Sequence, residues 1–402
     1  MGSLFSNPKI LVVLLLAVAA LVLSVAGGAL GASVGLGFLG GPVPHIQVPA
    51  ETVVSIAGYN LMNTTVMFWM AGIVLVLLAW LATRRMTEVP GRLQNVFESI
   101  FEYFDGLAHG AAGGPSGRQF LPLVLTIFLV VLFSNWIGIL PGAGSVGRVE
   151  NVEEYIHHRV EDRVHELEAE AEGAVDHNAL EEQALLEVVQ ENADHLFVVF
   201  SGEGGLKTIN LGRGEEAKVP LRNIVDVNET DVHALEEQLH ESRVREAPED
   251  YPELEGQTAG ILVPYFRGAS TDLNTTLAIA IVAMGAVQFW GIRALGIGTY
   301  AGKFFPFKQG PIMLAVGILE LFGELARTIS FTFRLFGNMF AGEILLFAMA
   351  FLLPLVGIIP FLGLELFVGL IQAFIFAMLT LVFGVMAVTH HGDEEHHAEE
   401  HH

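Results

Sequence analysis

The sequence predicts an all-α polytopic membrane protein that ends in a long, tilted helical hairpin and carries a small acidic α+β domain inserted on its extracytoplasmic side. The chain of 402 residues is 52% hydrophobic with a mean hydropathy of +0.54, yet its net charge is −24. These values rarely occur together in one soluble domain, so they indicate apolar spans with a separate acidic part. Several apolar runs are also long enough to cross a bilayer at ~20 residues per crossing.

Composition excludes several classes of function. The chain has no cysteine, which removes disulfides, thiolate metal sites and cysteine nucleophiles. Its acidic balance argues against binding of nucleic acid, whose phosphates attract a basic surface.

Residues 1–39 form a separate hydrophobic segment at the start of the chain. Within it, residues 10–29 are nearly uninterrupted Leu, Val and Ala, which is enough for one crossing. The segment is either an extra transmembrane helix or a signal peptide, because the small residues 26–32 resemble a cleavage region. The apolar run is longer than a usual signal core of about 7–15 residues, which favours a retained helix.

Residues 40–147 and 263–390 form the two parts of the predicted membrane domain. Three ordinary spans are expected, at residues 61–81, 120–140 and 273–295. The last of these opens on Asp272 and Asn274. Apolar residues at helical spacing among charged ones predict an amphipathic helix at residues 93–104, lying in the membrane interface.

An acidic insert is expected at residues 148–262, where the apolar content falls and most of the carboxylates are found. We expect helices at residues 152–172, 178–190 and 232–243, and strands at residues 195–200 and 217–221. The histidines of the insert lack a ligand spacing, so no metal site is expected. We interpret the insert as a solvated spacer, with a partner-binding or cation-collecting role as the alternative.

The basic residues predict the sidedness of the chain. The loops after the second and fourth spans are short and carry several basic residues, so they are expected to be cytoplasmic, and this places the insert outside. These residues are Arg84, Arg85, Arg92, Arg118, Arg293, Lys303 and Lys308. The His- and Glu-rich tail at residues 391–402 is then a solvated cytoplasmic segment. The expected location is the inner (plasma) membrane of a bacterial cell.

The C-terminal hairpin is expected to be unusually long. Residues 311–352 would give a helix of ~60 Å, about twice the hydrocarbon thickness of a bilayer. This helix either breaks at Gly323 or Gly337 or lies strongly tilted. A closing helix at residues 359–388 completes the hairpin.

One arginine lies inside the apolar run of the long helix. A charge at bilayer depth costs about 2.5–3.5 kcal/mol on insertion scales, so Arg334 is expected to have a partner or a task. On a helical wheel, four other polar residues fall within about 80° of it. They are Glu320, Arg327, Ser330 and Asn338. Glu343 faces another side of the same helix.

The closing helix adds two polar residues, Glu365 and Gln372, which share one face. If the helices run antiparallel with Arg334 level with Gln372, then Glu343 and Glu365 reach a similar depth on the outer side. The polar residues on the inner side are Glu320, Glu324 and Ser330. The arginine would then separate two polar paths that do not connect, as a stepwise ion path requires.

Simpler roles remain open for part of this set. Asn338 and Ser330 could serve as polar contacts between packed helices. Glu320 and Arg327 could sit at the cytoplasmic interface, with their charged ends reaching the water.

Three stretches closely resemble subunit a of the F-type ATP synthase. They are Ser330-Phe-Thr-Phe-Arg334-Leu-Phe-Gly-Asn338-Met-Phe-Ala-Gly-Glu343, Leu370-Ile-Gln372-Ala-Phe-Ile-Phe376 and Asp272-Leu-Asn274-Thr-Thr-Leu277. The resemblance covers roughly residues 40–147 and 265–390. It implies a stator subunit in the lipid bilayer, against which a ring of c subunits rotates, with a b-subunit peripheral stalk as a further partner. It implies translocation of protons, with sodium as the less common choice.

The resemblance also implies roles for single residues. Arg334 matches the essential arginine, which attracts the ionised ring carboxylate and prevents a short circuit between two aqueous half-channels. Gln372 matches the glutamine facing that arginine. The outer half-channel positions are matched by Asn338, Glu343 and Glu365, positions near the inner one by Ser330 and Glu320, and Asp272 and Asn274 are also assigned to the proton path. The chain is then a subunit and not an enzyme alone, with no cofactor and no bound nucleotide.

Three departures from the family pattern stand out. Some members have a histidine at the position of Glu365, whereas here both Glu343 and Glu365 are acidic, which favours retention of a proton by one of them. The insert is far longer than the loop usual in the family, and the His-rich tail is also additional.

Two other functions fit the composition. A self-contained secondary ion transporter or channel should show an internal repeat with paired broken helices, and the two halves show none. A membrane anchor that displays the acidic domain to a partner is the second alternative. Deleting residues 148–255 would distinguish the anchor from the stator subunit.

Overall fold

The computed structural model describes most of the chain in eleven ranges. They are residues 8–27, 50–56, 59–112, 115–140, 146–170, 176–200, 207–208, 218–247, 252–305, 310–353 and 356–388. The expected tail at residues 391–402 lies outside them. The chain divides into two compact units, each considered by itself below: residues 1–46, 141–266 and 346–361 in one, and residues 47–140, 267–345 and 362–402 in the other.

Helices dominate the described residues. The helices are α1 (Pro8–Gly27), α2 (Asn63–Thr83), α3 (Arg92–Ala112), α4 (Leu121–Gly138), α5 (Val152–Glu170), α6 (His177–Glu191), α7 (Val232–Glu241), α8 (Leu273–Leu295), α9 (Ile297–Phe304), α10 (Pro311–Leu352) and α11 (Ile358–Val388). The strands are β1 (Thr52–Ile56), β2 (Tyr59–Met62), β3 (Val146–Asn151), β4 (Leu196–Phe200), β5 (Lys207–Thr208), β6 (Lys218–Pro220) and β7 (Thr258–Pro264).

Five of the described helices are long and apolar enough to cross a membrane: α2, α4, α8, α10 and α11. The prediction of a polytopic, mainly α-helical membrane protein is therefore confirmed. The amphipathic helix α3 is not in this group, and α1 contributes a shorter apolar stretch, Val18–Gly27.

The long helix α10 runs through 42 residues without interruption. The break that the sequence left open at Gly323 or Gly337 is absent, because both glycines lie within the continuous helix. At 1.5 Å per residue the helix is ~63 Å long. Proline occurs only at its first position, where the missing amide hydrogen has no intrahelical acceptor to lose.

Helices α3, α4, α8, α10 and α11 share one apolar core. Phe104 of α3, Phe128 of α4, Phe331 of α10 and Phe376 of α11 are buried in it, and the rings of Phe331 and Phe376 stack with their centroids 4.7 Å apart. Polar groups add two contacts between α4 and the backbone of α11. Asn135 Nδ2 donates to the Gly369 carbonyl at 3.3 Å, and Trp136 Nε1 donates to the Leu366 carbonyl at 3.0 Å. Such bonds fix helices that hydrophobicity alone would not align in lipid.

The insert forms a five-stranded antiparallel sheet in the order β5-β3-β7-β4-β6, with α5, α6 and α7 contributing to its apolar core. The strands β3 and β7 were not predicted from the sequence. They pair from Gly147 opposite Pro264 to Asn151 opposite Gly260. Gly147 is required in this ladder, because a Cβ there would overlap the Val263 carbonyl. The first strand of the insert in chain order, β3, therefore pairs with the last strand, β7, and the two extend slightly beyond the expected limits of 148–262.

Candidate functional site

Arg334 lies half-buried on α10 among apolar residues. Phe331 and Leu335, beside it on the helix, are 2% and 0% exposed and anchor this turn in the core. Within the described ranges Arg334 takes part in no hydrogen bond or ion pair, and its guanidinium lies over the Phe331 ring, 5.9 Å from Cζ to the centroid. The described residues therefore supply no anion for this positive charge in an apolar helix.

Asn338 and Gln372 are joined directly. Asn338 Nδ2 donates to Gln372 Oε1 at 2.7 Å, and Gln372 is only 3% exposed. The Nε2 atom of Gln372 has no acceptor among the described residues. Gln372, which was expected to lie level with Arg334, is therefore hydrogen-bonded to a residue one helical turn after Arg334 on α10.

Glu343 and Glu365 have different surroundings. Glu343 Oε2 lies 3.3 Å from Nε of Arg267, and the two side chains are 19% and 8% exposed. Glu365 is 4% exposed, and its Oε1 has no hydrogen-bond partner in the described parts of the chain. Its carboxyl fills the space beside Gly342, where a Cβ would overlap it. The Glu343 carboxyl of α10 therefore lies beside a cation, whereas the Glu365 carboxyl of α11 packs against Gly342, the residue of α10 that precedes Glu343.

The segment before α8 brings several helices together. Ser270 Oγ donates to Asn135 Oδ1 of α4 at 2.7 Å. Asp272 caps α8, accepting hydrogen bonds from the Asn274 and Thr275 amides at 3.1 and 3.2 Å, and it also accepts from Thr64 Oγ1 of α2 at 3.4 Å. These bonds give Asp272 a structural task as a helix cap, while Asn274 is exposed.

On the other side of Arg334 along α10, the acidic residues have basic partners. Glu320 pairs with Lys303 of α9 at 2.7 Å. Glu324 accepts from Gln288 Nε2 of α8 at 2.9 Å and from Arg327 Nη1 at 2.6 Å. Ser330, one turn before Arg334, is exposed.

Tyr300 of α9 extends this inner group, because its hydroxyl donates to Gln288 Oε1. Burial, with a smaller contribution from the charges of Glu324 and Glu320, raises the pKa of Tyr300 to about 12, so the hydroxyl keeps its proton as a donor. Gly291 leaves room for the Tyr300 ring.

Several residues of these groups were not predicted from the sequence, among them Arg267, Gln288 and Tyr300. One signal for Arg267 was available, because it is a basic residue only five positions before Asp272, which opens an apolar span. Gln288 and Tyr300 gave no such signal, since a glutamine or tyrosine in an apolar helix has many uses.

The arrangement places polar groups on both sides of one unpaired arginine. Along α10, Glu320 lies ~21 Å before Arg334 and Glu343 lies ~13 Å after it. Groups of this kind suit transfer of a proton or small cation by steps. No cluster of three metal-ligating side chains occurs among the described residues.

These parts of the chain are similar in sequence to known proteins. The sequence model of the family described as "ATP synthase A chain" matches residues 65–153 and 254–384, together more than half of the chain. The match includes Arg334, Gln372 and the segment before α8, and it leaves out the greater part of the insert.

Three relatives, each described as "ATP synthase subunit a", illustrate the similarity. The protein of Gloeobacter violaceus is 23% identical over 335 residues, covering 83% of this chain and 86% of its own length. That of Desulforamulus reducens is 36% identical over 148 residues, which are 34% of this chain and 52% of its own. That of Aliivibrio fischeri is 38% identical over 142 residues, which are 33% of this chain and 51% of its own. The chain thus spans about half the length of the latter two relatives.

Proposed function

The chain belongs to the ATP synthase A chain family, and from this membership we propose that it is the stator subunit a of a proton-translocating F-type ATP synthase. It provides two offset aqueous half-channels, and Arg334 lies between them. Carboxylates carried by a ring of c subunits lose and regain protons as they pass the arginine, which couples proton flow to rotation and ATP synthesis. The chain itself is not catalytic.

The observation that carries this proposal is the absence of an anionic partner for Arg334 among the described residues. Such a charge is costly in an apolar helix and calls for a partner supplied from elsewhere. A ring carboxylate meets this need. The hydrogen bond between Asn338 and Gln372 supports it too, because it engages the amide oxygen of Gln372, which is then not the acceptor for the guanidinium.

The outer half-channel is proposed to include Asn338, Glu343 and Glu365, with Asp272 and Asn274 at its margin. The burial of Glu365 without a hydrogen-bond partner for Oε1 supports a proton-binding role, because an ionised carboxylate in such a place is strongly disfavoured.

The inner half-channel is proposed to run past Ser330 and Glu320. The exposure of Ser330 and the half-exposed Lys303–Glu320 pair support access of water on this side.

The partners follow from the same role. They are the c ring, a b-subunit peripheral stalk and the lipid bilayer, and the translocated ion is a proton. The chain is placed in the bacterial plasma membrane, with the acidic insert outside the cytoplasm and the C-terminus inside. Basic residues in the loops after α2 and α8 support this orientation.

The proposal is tested by replacing Arg334 with Ala in the assembled complex and following ATP-driven acidification of inverted membrane vesicles. We expect pumping to be lost, because the ring carboxylates would no longer be made to release their protons. Arg118→Ala is the matched control, since the Arg118 side chain is 69% exposed and pairs with Asp105 of α3. Undiminished pumping by Arg334→Ala would refute the proposal.

A further inference from the structure

Arg267 is a buried cation beside a carboxylate of the outer group. It lies between β7 and α8, its side chain is 8% exposed, and its Nε is 3.3 Å from Glu343 Oε2. The Thr271 hydroxyl also lies beside Glu343, and it donates its hydrogen bond to the Gly268 carbonyl at 2.7 Å. At this distance the guanidinium and the carboxyl form a charge-assisted hydrogen bond.

The backbone that carries Arg267 is held firmly. Gly268 packs against Gly138 of α4 so closely that a Cβ on Gly138 would lie 2.7 Å from the Gly268 Cα. Ser270 Oγ donates a hydrogen bond to Asn135 Oδ1 at 2.7 Å, and Asp272 caps α8. A charged group is positioned precisely only where such supporting contacts fix its segment, and here α4 and α8 both do so.

The carboxyl of Glu365 lies beside Gly342, and among the described residues it forms no ion pair. No hydrogen bond joins the Glu343 and Glu365 side chains in the described residues. The groups acting on Glu343 are thus Arg267 and Thr271 from the segment before α8, with Glu365 of α11 against the preceding residue. Asp272 is engaged by its capping bonds.

Resting on the proposed function, we propose that Arg267 is a positioning residue of the outer half-channel, which holds the Glu343 carboxyl in place and lowers its affinity for the proton. Burial alone would make Glu343 retain a proton, and a carboxyl that never releases its proton cannot pass one on. The cation opposes this effect. Glu343 thus has a charged partner that favours release of its proton, whereas Glu365 has no such partner among the described residues.

The test measures ATP synthesis by the assembled complex in proteoliposomes as a function of pH on the outer side, with the membrane potential held constant. In the Arg267→Gln variant, Glu343 binds its proton more tightly, so proton uptake persists to higher pH. We expect the alkaline limb of the rate profile to move up by about one pH unit, a tenfold change in proton concentration. Arg267→Lys should keep a profile close to that of the unmodified complex, and Arg118→Gln serves as the control.

A purely structural role for Arg267 would change the maximal rate or the yield of complex and leave the pH profile in place, and that result overturns the inference. If Arg267→Gln does not assemble, the double variant Arg267→Gln/Glu343→Gln should, because it removes both buried charges together. Failure of the double variant to restore assembly would also overturn it. Arg334→Ala in the same vesicles separates the two proposals: activity without Arg334 refutes the proposed function, whereas an inactive Arg334→Ala with an unshifted Arg267→Gln profile refutes only this inference.

Discussion

At the scale of single residues, Gly342 decides where the carboxyl of Glu365 can lie. The carboxyl occupies the space that any side chain at position 342 would fill, and it is buried there without a cation. Glycine in a helix interior costs about 1 kcal/mol relative to alanine. Its presence here is therefore explained by the packing of Glu365.

We predict that Gly342→Ala disturbs this packing. The new Cβ overlaps the Glu365 carboxyl, and overpacking of this kind typically costs about 1–3 kcal/mol, well above the gain in helix propensity. The thermal unfolding midpoint of the purified chain in detergent should fall. Gly323→Ala on the same helix is the control, because a Cβ there meets nothing within 4 Å, and its midpoint should hold or rise.

The residues of the candidate site were only partly predictable. Arg334 stood out because a lone charge in an apolar helix is costly, and wheel geometry grouped the polar residues around it. The Arg267–Glu343 pair could not be derived in that way, since its members are separated by 76 positions and one lies in a loop. A helical wheel relates residues of one helix, whereas this contact depends on how a loop packs against α10.

At the scale of elements, the short helix α9 is fixed to α8 by a ring inserted at a glycine. The Tyr300 ring occupies the place of a side chain at Gly291, and its hydroxyl donates to Gln288 one turn earlier on α8. Lys303 of α9 then reaches Glu320 of α10. Three helices are thus linked by residues of one eight-residue helix.

We predict that Gly291→Ala loosens this junction. A Cβ there would overlap Tyr300 Cε2 and lie 2.9 Å from Tyr300 Cζ, so the ring must move and its hydrogen bond to Gln288 is lost. The thermal midpoint of the chain should fall, whereas Gly285→Ala on the same helix, where a Cβ meets nothing within 4 Å, should not lower it. An unchanged midpoint for Gly291→Ala would show that the ring is not packed as described.

The elements differ in how well the sequence predicted them. The start of α8 was clear, because Asp272 is a helix-capping residue directly before an apolar run. The strands β3 and β7 were missed, because β3 contains glycine, arginine and glutamate, and its partner lies more than a hundred residues later. Strand propensity depends on such partners, so an isolated stretch gives little signal.

At the scale of the whole molecule, the insert holds a titratable group, His195, against buried aromatic residues of its core. The His195 ring stacks on Tyr155, with centroids 5.0 Å apart, and meets the edge of Phe197. Arg159 lies over the other ring of this stack, 5.4 Å from the Tyr155 centroid. Burial, and then the positive charge of Arg159, lowers the pKa of His195 below its ordinary value of 6.5.

This shift predicts how the stability of the insert depends on pH. The folded insert binds the His195 proton less readily than the unfolded chain, so the stabilisation is complete above about pH 6.5. It is lost as the pH falls from there to the lower folded pKa. Hydrogen-exchange protection of the β4 amides in the full chain, corrected for intrinsic rates, should therefore decrease between pH 7.5 and 5.5.

Two variants isolate the contribution of His195. His195→Gln should reduce this pH dependence, because the group that must become charged is gone. His233→Gln should preserve it, since the His233 side chain is 95% exposed. Equal pH dependence in all three proteins would contradict the assignment to His195.

The ladder between β3 and β7 also bears on how such a chain could have arisen. The family match reaches residue 153 and resumes at residue 254, so both strands of the ladder lie in the matched parts while the unmatched stretch begins and ends just beyond them. Lengthening a closed loop costs little entropy, only about 0.6 kcal/mol for each doubling. An insertion of about a hundred codons between the two strands would have kept their register. It would have changed only the length of the connection between them.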